Sequence, residues 1–135
     1  MASIFTKIIQ REIPSEIVHE TDNVIVILDI HPIRPGHMLV IPKEEVDEFQ
    51  NLDRETYREV MDIAYDMARL LKEKLEPPRV GVVVQGFDVP HAHVHVSPLH
   101  DTRDIVSTTR SKNFQDEEPD FEALAEMRKR LSSDG

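Results

Sequence analysis

No cysteine occurs anywhere in the 135 residues. Disulfides, thiolate metal sites and a catalytic thiol are thereby excluded, and the absence fits a reducing compartment; the expected location is the cytoplasm. Long apolar runs are missing too. None approaches the roughly 18 residues of a membrane span, and no basic-plus-apolar leader opens the chain, so no membrane partner is expected. Basic residues are in the minority, with 16 Lys and Arg against 26 Asp and Glu, for a net charge of -10. That balance argues against nucleic-acid or anionic-membrane binding through bulk electrostatics. It leaves room for a small anionic ligand, provided histidines and backbone N–H groups build a local site that outweighs the global repulsion. Internal repeats and low-complexity linkers are absent as well, and the simplest organisation is one domain with a proper core.

What is present follows a clear order. Ile4, Phe5, Ile8 and Ile9 in "SIFTKIIQREIP" recur at helical spacing until Pro14 stops them, which predicts a short helix. "NVIVILDI" is a continuous β-branched run and predicts a strand buried on both faces. After the turn "HPIRPG", "HMLVIP" predicts a second strand that ends at Pro42. From Asp53 to about Leu75 the apolar positions Tyr57, Val60, Ile63, Ala64, Met67, Leu70 and Leu71 mark the core face of a long helix, stopped by Pro77 and Pro78. "RVGVVVQG" and "HAHVHVSP" predict a third and a fourth strand. A polar, irregular stretch from His100 to Glu118 follows, and "PDFEALAEMRKRL" predicts a short helix with Pro119 at its start and basic residues in its last turn. The class is α+β with a mainly antiparallel sheet, one long helix and one or two short ones, because the connections between paired strands are short.

"VPHAHVHVSP" sets three of the seven histidines at alternate positions, His91, His93 and His95. On a strand they share one face, while Ala92, Val94 and Val96 face the core. Three readings compete. A metal site is hard to build from the row alone, because at about 3.3 Å per residue the backbones of His91 and His95 stand about 13 Å apart. Such a site would need a ligand from elsewhere, such as His37, Glu45 or Asp88. Exposed histidines without function are the second reading. The third is acid–base and nucleophilic catalysis, for which neutral imidazole attacks and imidazolium donates, with phosphorus as the natural target. Catalysis is favoured. Gly86 allows close backbone approach and Pro90 stiffens the entry to the row, so a phosphate over His93 would meet the N–H groups of "GFDV".

"HAHVHVSP" resembles the histidine-triad (HIT) motif, and "IFTKIIQREIP", "ILDIHPIRPGHMLVIPK" and "GFDVPHAHVHV" match that family in order over roughly residues 3 to 98. The resemblance implies a homodimeric HIT-like fold, over about residues 1–110, followed by a tail at 111–135. It also implies transfer or hydrolysis at a nucleotide's α-phosphate. His93 would be the nucleophile, His95 would bind phosphate and assist the leaving group, and His91 and His37 would complete the set. Asp29 would hold the ribose hydroxyls. Phe5, Ile8, Ile13, Ile27, Ile30 and Leu39 would form the apolar slot for the base, with Asp88 and Val89 beside the phosphate. His19, His31 and His100 receive no role.

The chain departs from the family in three places. Many relatives have Cys-x-x-Cys near the start and a histidine after "IPK", which together hold zinc. Here those positions are Ser3, Thr6 and Glu45, so no metal and no cofactor are expected. Before the triad the family often reads Gly-Gln-Ser/Thr-Val, where this chain has Gly86, Phe87, Asp88 and Val89. A carboxylate thus stands where a hydroxyl contacts phosphate, an unfavourable neighbour unless a proton, water or cation intervenes. The family's asparagine before this turn falls near Val80. The Hint-type phosphoramidases are the most similar branch, implying cleavage of a purine nucleoside phosphoramidate to the monophosphate. A Fhit-type dinucleoside polyphosphate hydrolase and a nucleotide-binding module with weak chemistry stand as alternatives.

Overall fold

The computed structural model describes residues 2–105 and 118–132. The segment 106–117 lies outside them. It holds most of the polar stretch expected to be irregular, part of the acidic "QDEEPD" run, and the boundary expected between a domain and a tail. The elements are α1 (Ile4–Ile9), β1 (Ile17–Glu20), β2 (Val24–Leu28), β3 (Met38–Pro42), α2 (Arg54–Leu75), β4 (Arg79–Val83), β5 (Val94–Leu99) and α3 (Phe121–Leu131). The strands form one antiparallel five-stranded sheet in the order β1-β2-β3-β5-β4.

Every residue of β2 and β3 is buried, and the alternation of side chains explains how. Val24, Val26, Leu28, Met38, Val40, Val94 and Val96 point to one face, where α2 covers them with Val60, Ile63, Ala64, Met67 and Leu71. Ile25, Ile27, Leu39 and Ile41 point to the other, where Phe5 and Ile8 of α1 cover part of them. The run read as buried on both faces is so because a helix lies on each. The β-branched residues suit this double burial. Tyr57, placed in the core stripe by spacing, is 38% exposed at the start of α2.

Local chemistry starts and stops the helices. The Asp53 carboxylate accepts the Thr56 N–H at 2.8 Å and caps α2, and Glu76 ends it in the left-handed region (φ 52) ahead of Pro77. Asp120 caps α3 in the same way, accepting the Ala123 N–H at 3.0 Å. Leu124 and Leu131 bury α3 in the α2-side core, and Arg128 holds Glu16 at 2.6 Å. Strand β1 was not expected from the sequence. It is a short edge strand, and its existence depends on pairing with β2 through Ile17 opposite Ile27.

One turn is fixed by backbone geometry. Gly36 sits at φ 104, a backbone conformation that side chains rarely allow, and a Cβ there would lie 2.7 Å from Leu75 Cδ1, which would have to shift. This close approach to α2 sets the position of the next residue, His37. The same turn is tied down by Arg34, whose guanidinium meets Asp104 through two hydrogen bonds of 2.9 Å. The Arg34 guanidinium, with help from the His100 N–H, lowers the Asp104 pKa to about 2. A carboxylate with a depressed native pKa stabilises above its unfolded pKa, near 3.9, and loses that contribution as pH falls through the native value. Asp104→Asn should therefore cost about 1–2 kcal/mol at pH 7, discounted for the half-exposed guanidinium. Thermal melts of both proteins at pH 7 and pH 2 would check it, the gap narrowing at the lower pH. An equal gap at both would remove the ion pair as its cause.

Candidate active site

The slot lies on the α1 face of the sheet. The pairing of Ile27 with Leu39 and of Leu39 with His95 sets these three side by side across β2, β3 and β5. An apolar floor thus runs directly up to an imidazole. Phe5 and Ile8 of α1, with Ile13 beyond it, close one side, and Val89 and Asp88 close another. Asp29 and Ile30 leave the end of β2 at the rim. The enclosed volume is about 360 Å³, enough for a small ligand. His93 and His95 both line it, so every residue assigned to the slot from the sequence comes together there with two of the four histidines. His91 and His37 stand behind.

The histidine row differs from its expected form. Strand β5 begins at Val94, so only His95 belongs to the ladder; His91 and His93 occupy the irregular segment before it. Nor are the three presented to solvent as an open row. His91 is fully buried and His93 is 5% exposed. Gly86 likewise plays a different part: a Cβ there would meet nothing within 4 Å, and its φ of 72 is what the turn requires.

Hydrogen bonds assign a tautomer to each imidazole, because a backbone N–H can only donate and a carbonyl can only accept. The Ile33 N–H donates to His37 Nδ1 at 3.0 Å, so His37 carries its proton on Nε2. That proton faces His95 Nδ1 at 3.0 Å, which leaves the proton of His95 on its own Nε2. His93 Nδ1–H donates to the His91 carbonyl at 2.7 Å, so the Nε2 of His93 carries a lone pair. His91 Nε2–H donates to the Pro42 carbonyl at 2.7 Å, and its Nδ1 accepts from the Ser3 hydroxyl at 2.7 Å. Burial lowers the His91 pKa, which suits a neutral ring held by these bonds. Neighbouring rings of His93 and His95, 5.0 Å apart, thus offer a basic nitrogen and an N–H donor.

Two groups of side chains come close enough together to invite a metal ion. Asp29, His37 and His95 bring candidate ligand atoms within 4.8 Å of one another. His37 Nε2, the atom facing that centre, carries a proton in the neutral ring, because its Nδ1 is the acceptor. It cannot also ligate. At the position of the family's zinc, Ser3, Thr6, Glu45 and His91 are indeed together, yet as a hydrogen-bonded set: the Ser3 hydroxyl is committed to His91, and the Thr6 hydroxyl donates to Glu45 at 2.5 Å. Hydroxyls in place of thiolates do not fit a structural zinc.

Sequence reasoning missed several lining residues. His31, given no role, lines the slot, and its N–H donates to Asp29 Oδ1 at 2.8 Å. Gln85, Ile4, Pro14 and Ser15 also contribute. So does Phe121, 61% exposed at the first turn of α3. Its only sequence signal was a helix-starting aromatic, which says nothing about where the helix docks.

The HIT domain matches residues 10–102, and the chain belongs to that family. An uncharacterized HIT-like protein of Borreliella burgdorferi is 36% identical over 102 residues, covering 70% of this chain and 73% of the relative. Adenosine 5'-monophosphoramidase HNT1 of Saccharomyces cerevisiae is 30% identical over 131 residues, covering 96% and 80%. Among solved structures, a Hit-like protein from Bartonella henselae superposes with a TM-score of 0.80 at 30% identity, covering 96% of this chain and 93% of that one. The α+β architecture expected from the sequence is the one observed, and it matches this solved structure. Among the described residues no helix is long and apolar enough to cross a membrane.

Proposed function

We propose that the protein is a nucleotide hydrolase acting at the α-phosphate through a nucleotidyl-histidine intermediate, with a purine nucleoside phosphoramidate as substrate and the nucleoside monophosphate as product. The observation that carries this reading is the hydrogen-bond pattern of the two imidazoles lining one slot, which in the neutral rings puts a lone pair on His93 Nε2 and a proton on His95 Nε2. In the first step His93 Nε2 bonds to phosphorus. The P–N bond breaks, and the departing amine takes the proton from His95. In the second, water attacks phosphorus, His95 recovers a proton from it, and the monophosphate leaves with the P–N bond to His93 broken. The His91 carbonyl, holding Nδ1–H of His93, favours the positive charge that develops on that ring. Asp29 at the rim serves the ribose hydroxyls, and the apolar floor serves the base.

The electrostatics favour an amine leaving group over a second nucleotide. Among the described residues no Lys or Arg lines the slot, and the adjoining cavity that also reaches His93 contains Asp47 and Glu48 and, among the same residues, again no Lys or Arg. A dinucleoside polyphosphate would set several negative charges against these acids. The similarity to a yeast adenosine 5'-monophosphoramidase supports the same choice. We also propose a homodimer, and a cytoplasmic site of action. The domain is taken to span 1–110 and the tail 111–135, although α3 joins the core through Leu124 and Leu131.

A second reading, a nucleotide-binding module with weak chemistry, is favoured by Asp88, an exposed carboxylate on the phosphate side of the slot. Single-turnover incubation with labelled adenosine 5'-phosphoramidate separates the two. Release of AMP through a trapped nucleotidyl-protein supports the hydrolase. Saturable AMP binding without turnover supports the module. For either, Phe121→Ala should weaken AMP binding about 3- to 10-fold, the loss of one aromatic contact, with kcat nearly unchanged. Titration of AMP into both proteins checks this, and equal affinities would take Phe121 out of the site.

A further inference from the structure

The loop after β3 receives bonds from both α1 and the triad segment. Glu45 Oε1 accepts the Ser3 N–H at 2.8 Å and the Thr6 hydroxyl at 2.5 Å. Three residues before it, the Pro42 carbonyl accepts His91 Nε2–H at 2.7 Å, and one residue after it, the Val46 carbonyl accepts the Ala92 N–H at 2.7 Å. Ser3 joins the two sets: its hydroxyl accepts the Thr6 N–H at 3.1 Å and donates to His91 Nδ1 at 2.7 Å. The Thr6 hydroxyl also lies 3.4 Å from the Ser3 hydroxyl and 3.5 Å from His91 Nδ1, contacts longer than the bonds that engage each of these groups. The Ser3 N–H and then the Thr6 hydroxyl hold the Glu45 carboxyl below the ordinary range, so it stays ionised and accepts only.

We propose that Ser3, Thr6 and Glu45 are positioning residues, a polar clasp that seats α1 over the slot and aims His93 through His91. This rests on the reading of His93 as the attacking group. A six-residue helix has too few internal bonds to hold itself in place. What seats it is the burial of Phe5 and Ile8 together with the clasp at its first turn. Phe5 stands edge-on to both His91, with ring centroids 5.8 Å apart, and His93, at 4.9 Å. A shift of α1 therefore moves the wall of the slot and the packing of the nucleophile together. The Ser3 hydroxyl separately fixes the ring of His91, the residue whose carbonyl holds His93 Nδ1–H. The hydrogen bonds of Glu45 go to Ser3 and Thr6, neither of which lines the slot. Its influence runs through α1.

The two arms of the clasp predict different losses. Ser3→Ala removes the donor to a fully buried nitrogen, and kcat should fall roughly tenfold. Glu45→Ala loosens α1, and KM should rise roughly tenfold with a smaller change in kcat. Glu45→Gln should recover most of the KM, because the amide carbonyl accepts the same two bonds. The deciding readout is the ¹⁵N signals of the histidine rings, recorded on folded variants alongside AMP affinity. The expected result is a shift at His91 and His93 in Ser3→Ala, and weaker AMP binding restored by Gln in Glu45. Unchanged ring signals and kinetic constants, or a lower melting temperature alone, would overturn the clasp. If the wild type turns nothing over, ring signals and AMP affinity still decide this point, and only the hydrolase reading falls.

Discussion

His93→Ala should reduce turnover of a nucleoside phosphoramidate by at least about 10⁴-fold while AMP still binds. The expectation follows from what this ring alone supplies. It is the imidazole in the slot whose Nδ1–H is taken by a backbone carbonyl, at 2.7 Å, so that in the neutral ring its other nitrogen carries the lone pair. Alanine leaves His95 with its donor and Asp29 and the apolar floor in place, so ground-state binding should change only severalfold. Covalent capture, in contrast, has no substitute atom. A stepwise reaction then becomes a direct attack by water, which the site has not been built to orient. The assay is a burst experiment with labelled substrate, in which the wild type accumulates an acid-labile protein adduct and the variant does not. An adduct persisting in His93→Ala, or turnover above about a hundredth of wild type, would move the nucleophile elsewhere.

Some of this arrangement was readable from the chain and some was not, and the division follows sequence distance. The double burial of β2 was legible because "VIVIL" is apolar at every position, and α2 because its stripe recurs over 22 residues. Alternation of the histidines was legible too, as a shared direction. Their burial was not. His91 is enclosed by the Pro42 carbonyl, 49 residues away, and the Ser3 hydroxyl, 88 residues away. No local pattern encodes such partners. β1 has only four residues, two of them exposed, and becomes a strand through its neighbour. Phe121 reaches the slot because Leu124, Leu131 and the Arg128–Glu16 pair dock α3, contacts that lie over a hundred positions from Glu16. The resemblance to the HIT family added the roles of residues, which periodicity does not carry, and the geometry then placed them together.

The second large effect concerns a residue that does not line the slot. His37→Phe should lower kcat roughly 10²- to 10³-fold for an alkylamine leaving group. His37 is 1% exposed, and phenylalanine conserves most of its volume. What it removes is a relay of proton positions. The Ile33 N–H forces the proton of His37 to Nε2, and that proton in turn forces the proton of His95 to the nitrogen away from His37. Without it, His95 is free to hold its proton on Nδ1, and the donor for the departing amine is lost. The Asp29 carboxylate, 3.7 Å from His37 Nε2, further favours that proton in the wild type. A structural cost accompanies the change, because the Ile33 N–H loses its acceptor, worth about 1–3 kcal/mol if it is left unpaired. Stability and chemistry are separated by the leaving group. An amine that departs without protonation, such as a nitroaniline, needs no acid, so its loss in His37→Phe should be only a few-fold. Equal losses for alkylamine and nitroaniline substrates would show that His37 acts through packing alone. Unequal losses, with the larger on the poor leaving group, would place the acid at His95 and its control at His37.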